Sequence, residues 1–338
     1  MAEPSERLGD HEAQKGPSTS VTPPPRDVEG LMASEEGALL AGPGLAEREF
    51  TVASRTRARM VAGRFLHHRL AMVSLVVFVG VGLLAVIGGH VWHYGFAQIT
   101  NQYAVGPSAA HPFGTDDIGH DLFAQVLRGT EKEIQVALMV AIISTTVGSA
   151  IGALAGFYGK LVDGVLMRFT DLVLAIPVLA VLLVLANLVS KQTGNWFWIG
   201  VIIAALSWTY VARLVRGTFL SLREKEYVEA ARAIGASDAR IILRHLLPNA
   251  VGPIIVNATL TVAYAILIES TLSYLGLGIQ PPDVSLGLLI SNGQASATTQ
   301  WWLFAFPAIF IVILVLAVNF IGDGMRDAFD PTQNRVRA

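Results

Sequence analysis

The 338-residue chain contains no cysteine, which excludes disulfides, thiolate metal sites and a cysteine nucleophile. Charge is scarce too: Asp, Glu, Lys and Arg make up 15% of the residues against 53% apolar ones, and the mean hydropathy is +0.53. Such a balance lies outside the range of soluble domains and belongs in a bilayer. The phosphate-cradling pattern GxxxxGK[ST] does not occur, so the chain does not hold ATP as P-loop proteins do, and any energy input comes from a partner. HExxH and GxSxG are absent, and the sequence offers no convincing pair of buried catalytic carboxylates, which argues against a membrane-embedded enzyme. No cofactor, metal or nucleic-acid site is expected. No secretory leader is visible either, because the first apolar run begins near residue 70 and is too long for a leader's apolar core.

What is present is a series of apolar runs. Crossing the hydrocarbon takes about 17 to 25 residues of helix, and six segments qualify or nearly so: 70–89, 134–158, 172–190, 196–212, 250–272 and 301–321. The expected fold is therefore an all-α integral membrane protein with six transmembrane helices spread over residues 70–331. Lys and Arg set its orientation. With the N-terminus inside, 21 of the 24 fall on the inner side and only Arg128, Lys132 and Lys191 on the outer, a bias that places both termini in the cytoplasm.

Residues 1–54 are acidic, poor in aromatics and interrupted by Pro23, Pro24 and Pro25, the composition of a disordered tail. Arg55, Arg57, Arg59, Arg64 and Arg69 follow within a basic juxtamembrane segment, 55–69, suited to anionic headgroups; residues 332–338 form a short C-terminal tail. Within the second span Gly148, Gly152 and Gly156 recur every four residues, a stripe that lets another helix approach closely. Arg168 and Asp171 are spaced as an i, i+3 pair, and Pro177 is expected to kink the third span. Asp116, Asp117, His120 and Asp121 are of metal-ligating type, but no metal site is expected there. Glu269 is the one acidic residue well inside an expected span; it should face protein or water rather than lipid, and its place near the outer end of the span suits a gate or a pathway.

The most informative stretch is the charged island from Glu226 to Asn249, EYVEAARAIGASDARIILRHLLPN, set between apolar runs. Tyr227, Ala230, Ala231 and Ile234 share one helical face by spacing, with Glu226, Glu229 and Arg232 elsewhere on the cylinder. Gly235 interrupts this helix, Ser237 is placed to cap a second one, and Pro248 is expected to stop it. An amphipathic hairpin resting on lipid headgroups fits the same spacing.

The order of residues goes further than the spacing. Glu229, Ala230, Ala231, Gly235, Leu247 and Pro248 resemble the cytoplasmic EAA loop of ATP-binding-cassette importer permeases, with His245 to Asn249 matching the HxLPN form of the peptide branch. GTDDIGHD, from Gly114 to Asp121, resembles the GTDxxGRD signature of C-type peptide permeases, with His120 in place of the arginine. ESTLSYLGLGIQPP from Glu269 and GDGMRDAFDP from Gly322 are similar to the same branch, and Trp301 and Trp302 would anchor at the outer interface.

The resemblance implies a type I importer permease (MetI-like) fold in a bacterial inner or plasma membrane, as one half of a pathway for di- and oligopeptides. It also implies four kinds of partner: a homologous B-type permease, two ATPase subunits or domains that bind ATP and Mg, an extracytoplasmic substrate-binding protein, and the lipid bilayer. In that reading the face carrying Ala230 and Ala231 is a knob in an ATPase groove. A permease for nickel or another small solute shares most of these motifs. An ion-driven secondary transporter would instead need ion-handling charges in several spans.

Overall fold

The computed structural model describes residues 57–190 and 195–330; the expected N-terminal tail and the C-terminal 332–338 lie outside the described residues. Among these the fold is all-α, with only two isolated β-bridges, Ile99 to His120 and Thr115 to Asp121. A short helix α1 (Arg57–His67) leads into α2 (Arg69–Val91). There follow α3 (Leu122–Tyr158), α4 (Lys160–Ala175), α5 (Val178–Ser190), α6 (Trp196–Arg223), α7 (Glu226–Ala233), α8 (Asp238–Tyr274), α9 (Leu286–Gly293) and α10 (Trp301–Phe329). Five of these, α2, α3, α6, α8 and α10, are long and apolar enough to cross a membrane, and α4 with α5 forms a broken sixth, bent by 78°. The bend falls at Ile176 and Pro177, where the ring removes a backbone donor and disfavours helical geometry in the residue before it.

The closest seam joins α3 to α6, and glycine makes it possible. A Cβ on Gly148 would stand 2.6 Å from the Trp208 carbonyl oxygen, one on Gly152 2.4 Å from that of Ala212, and one on Gly156 2.6 Å from the Phe219 Cβ. No side chain fits in those gaps, so the α3 backbone rests directly on α6. In lipid, where apolar burial gives helices little reason to associate, such close packing is what holds them. Ser144 adds a hydroxyl hydrogen bond to the Ala204 carbonyl, 3.4 Å.

α1, α2 and α10 meet at one end of the bundle: Arg64 donates to the Asp330 carbonyl at 3.0 Å, and His68 lies 3.4 Å from Asp327. This is also the end at which α3 and α6 finish and α8 begins. Here the expected Arg168–Asp171 pair gives way to contacts across helices. Asp171 is bound by Arg213 at 2.6 Å and Asp163 by both prongs of Arg216, because α4 lies alongside α6 and offers its carboxylates to a neighbouring helix.

The segment between α2 and α3 folds against the opposite end. Asp121 caps α3 by accepting from the Ala124 N–H at 2.8 Å, accepts from Trp92 Nε1 at 3.1 Å, and lies 2.7 Å from Nδ1 of the fully buried His111. Asp116 accepts from the N–H groups of Ile118, Gly119 and His120 and pairs with the His120 ring, while Asp117 accepts from Gln300. The carboxylates that look like metal ligands in the sequence are thus engaged within the protein, and no group of three metal-ligating side chains occurs among the described residues. Trp302 departs from the expectation of a lipid anchor: it packs against the core and donates to the Thr115 carbonyl at 3.3 Å, leaving Trp301 as the exposed one.

Candidate coupling site

The island from Glu226 to Asn249 forms a helical hairpin at the end of the bundle where α3 and α6 stop. Helix α7 has two unlike faces. Val228 and Ala231, at i and i+3, are buried in a cluster with Phe157 at the end of α3, Val215 and Phe219 on α6, and Ile241, Leu246 and Ala250 on α8. Arg232 lies over the Phe157 ring, 5.6 Å from its centroid. Tyr227, Ala230 and Ile234, at i, i+3 and i+7, face away from this cluster; Tyr227 is 40% and Ile234 86% exposed. The four residues assigned to one face by spacing are therefore divided. Ala231, at the edge of the stripe, turns inward to the bundle, so it is not part of any outward knob.

The geometry of the turn follows from Gly235, whose φ of +79° lies in the left-handed region. The Ala236 N–H reaches the Ala231 carbonyl at 3.0 Å and the Gly235 N–H that of Arg232 at 2.9 Å. This is the paired closure of a Schellman motif, with glycine at the position following the cap. No atom lies within 4 Å of where a Gly235 Cβ would stand, so glycine is required here by backbone conformation and not by space.

Ser237 has the extended backbone of a capping residue and its carbonyl accepts from Ile241 at 3.0 Å, but its hydroxyl makes no capping bond. Pro248 does not end the second helix. α8 runs through it to Tyr274, because residues Ile241–Leu246 form a wider turn in which the Leu247 N–H bonds to the Ile242 carbonyl, and the proline falls at the start of the next helical stretch. A π-type turn of this kind admits a proline where a regular helix would clash. Leu247 is half-buried and packs against the inner cluster, whereas Pro248 and Glu229 are exposed.

These contacts hold α7 against three helices. It projects beyond the apolar spans, so burial of Val228 there is a true hydrophobic gain, about 1.5–3 kcal/mol. The inner face ties it to α3, α6 and α8, and the outer face offers a shallow apolar relief flanked by Glu226 and Glu229. Spacing alone missed Val228 as an anchor, though its i, i+3 relation to Ala231 carried the signal. It also missed Leu243, 62% exposed on the second arm of the hairpin.

Of the remaining sequence candidates, Gly148, Gly152 and Gly156 lie in the α3–α6 seam, where they pack against Val211, Val215 and Phe219 of the cluster that also holds Val228 and Ala231. Glu269 is fully buried on α8, near the far end of the bundle, beside Glu133 of α3. Glu133 falls one residue before the expected start of the second span. Helix α3 starts earlier, at Leu122, so two buried carboxyls meet where the sequence offered one.

Residues 148–335 match the family described as binding-protein-dependent transport system inner membrane component, and residues 56–109 match the N-terminal transmembrane domain of oligopeptide transport permease C. The chain is 40% identical over 283 residues to the oligopeptide transport system permease protein OppC of Mycobacterium tuberculosis strain H37Rv, covering 83% of this chain and 97% of the relative. It is 40% identical over 274 residues to a putative peptide permease protein of Brucella suis biovar 1, covering 80% and 89%. Among solved structures it is similar in fold to an inward-facing MetNI methionine ABC transporter chain, with a TM-score of 0.51 and 19% identity over 62% of this chain and 98% of that one.

Proposed function

The chain belongs to the family of binding-protein-dependent transport-system inner membrane components, and from that premise we propose that it is one permease subunit of an ATP-driven peptide importer whose α7 hairpin is gripped by an ATPase subunit. A permease of this kind is a channel component and not a catalytic subunit, and it works with a second permease and with ATPases that bind ATP and Mg. An extracytoplasmic binding protein would deliver the cargo. The relatives named as peptide permeases support peptide as that cargo.

The observation that carries the coupling role is the division of α7 into an anchored inner face and an exposed outer face of Tyr227, Ala230 and Ile234. Ala230 leaves a flat place in which a groove on another protein can close, and Ile234 beside it supplies apolar area. Movement of α7 reaches α6 and α8 through Val228 and Ala231. ATP binding to the partner biases the inward-open or outward-open arrangement by its unequal affinity for the two. Glu229 and Gly235 then act as shape and turn elements of the loop, and Leu247 and Pro248 carry the hairpin into α8. In this reading the hairpin and both termini face the cytoplasm, in keeping with the distribution of Lys and Arg.

Reconstitution of the complete importer in proteoliposomes tests the proposal, with labelled di- and oligopeptides supplied on the binding-protein side. Uptake that requires both ATP and the ATPase subunits is the expected result. Nickel uptake without peptide uptake would overturn the cargo assignment, and solute movement with no ATPase present would overturn the coupling role.

A further inference from the structure

Glu133 on α3 and Glu269 on α8 are both 0% exposed and stand at the same contact between the two helices, where Ser270, next to Glu269 in the chain, reaches Glu133. Ser270 of α8 donates to Glu133 Oε1 at 2.9 Å, a bond that crosses between the helices, and Ser273 donates to Glu269 Oε1 at 2.6 Å. The second oxygen of each carboxyl, Oε2, is buried and has no hydrogen-bond partner. Among the described residues, no Lys or Arg lies within 4.0 Å of either carboxyl. Arg128 and Lys132, five residues and one residue before Glu133 on α3, are instead engaged by Asp283 and, for Arg128, by Glu131. These four are the charged groups nearest in the chain to the pair on the elements packed around it, and they compensate one another.

Two bare carboxylates cannot face each other in a water-excluded interior, because each is desolvated and the two repel. Something positive must stand between them. A metal ion would need more donors than two carboxyls and two hydroxyls that already donate to them, and the described residues hold no group of three metal-ligating side chains. A proton needs only the two unpartnered oxygens.

We propose that Glu133 and Glu269 form a proton-binding site, in which a carboxylic acid on one helix donates a hydrogen bond to the carboxyl on the other and clamps α3 to α8. The step is transfer of one proton from a hydronium ion of the bulk solvent to one carboxylate: the carboxyl O–H bond forms, the hydronium O–H bond breaks and water is left. The ligand is thus a hydron and the site a positional one, with no role in chemistry on cargo. Its place gives it leverage. α8 is the helix that begins in the coupling hairpin, so holding its far end against α3 fixes the point about which a displacement of the hairpin would turn it.

Infrared difference spectroscopy on the assembled importer in lipid nanodiscs tests this at neutral pH. The carbonyl stretch of a protonated carboxylic acid should be present, should shift in D2O, should change with Glu133→Gln alone, and should disappear with Glu133→Gln and Glu269→Gln together. Each single Gln variant should keep the thermal stability of the complex, because an amide N–H takes the place of the proton as donor, whereas Glu133→Ala should lower it. Absence of the protonated band, or its persistence unchanged in Glu133→Gln, would overturn the proposal. So would a melting temperature that drops when choline replaces sodium, which would assign the space to a metal cation instead.

Discussion

Ala230 and Ala231 are neighbours on α7 and face different ways: Ala231 is 5% exposed and packed toward α3, α6 and α8, while Ala230 looks outward between Tyr227 and Ile234. One residue of rotation separates a buried side chain from an exposed one. The two alanines therefore fail differently when changed.

Ala230→Arg should uncouple ATP hydrolysis from uptake while leaving the permease folded, since the added side chain enters only the outer surface. Peptide uptake measured beside ATPase rate in proteoliposomes checks this: uptake should fall by at least tenfold, about 1.4 kcal/mol of coupling, with unchanged melting of the permease. Ala231→Glu should instead place an unpaired charge in an apolar cluster, costing about 3–5 kcal/mol locally, and should lower the melting temperature of the purified chain.

Gly235→Ala should loosen the hairpin, because a Cβ in left-handed backbone costs about 1–2 kcal/mol and nothing nearby offsets it. Amide hydrogen exchange over residues 226–240 reads this directly: protection in α7 should drop by roughly a factor of ten, while the seam between α3 and α6 stays unchanged.

Gly152→Ala should act first at the seam. The new methyl would collide with the Ala212 carbonyl, so the backbones must part, at a cost of about 1–3 kcal/mol. Thermal unfolding of the permease in detergent should show the loss, and Gly164→Ala, where no atom lies within 4 Å of the added Cβ, should show none.

Arg128 and Asp283 should prove to be coupled. Arg128 Nε meets Asp283 Oδ1 at 2.7 Å and Nη2 meets Oδ2 at 3.1 Å, tying the segment after α8 to α3. For a partly exposed two-pronged pair the coupling expected from a double-mutant cycle is about 1 kcal/mol. Additive effects of Arg128→Ala and Asp283→Ala on unfolding would show that the contact contributes nothing.

Much of the architecture was legible because lipid imposes a simple rule: long apolar runs must be helices. The glycine spacing at 148, 152 and 156 reveals a close seam for the same reason. Other features follow only from how the helices pack. Spacing at i, i+3, i+4 and i+7 defines a stripe wide enough to straddle the boundary between two faces, so it grouped Ala231 with Ala230. Glu133 was hidden because apolar content marks where a run begins and not where the helix does, and α3 starts with the polar turns after Asp121. Pro248 looked like a terminator because the wide turn before it leaves no mark in the residue pattern. Asp171 found Arg213 and not Arg168 because its partner lies 42 positions away in the chain.

The absence of cysteine makes the central claim directly measurable, since every introduced thiol in this chain is the only one. Single-cysteine variants Ala230→Cys, Ile234→Cys and Ala231→Cys, each combined with a cysteine series along the ATPase groove and treated with a short thiol cross-linker, report which face of α7 the ATPase holds. Cross-links from positions 230 and 234 that change with nucleotide, and none from 231, are expected. Cross-linking from 231 with none from 230 or 234, or no cross-link from any of the three in an importer that transports, would contradict the claim.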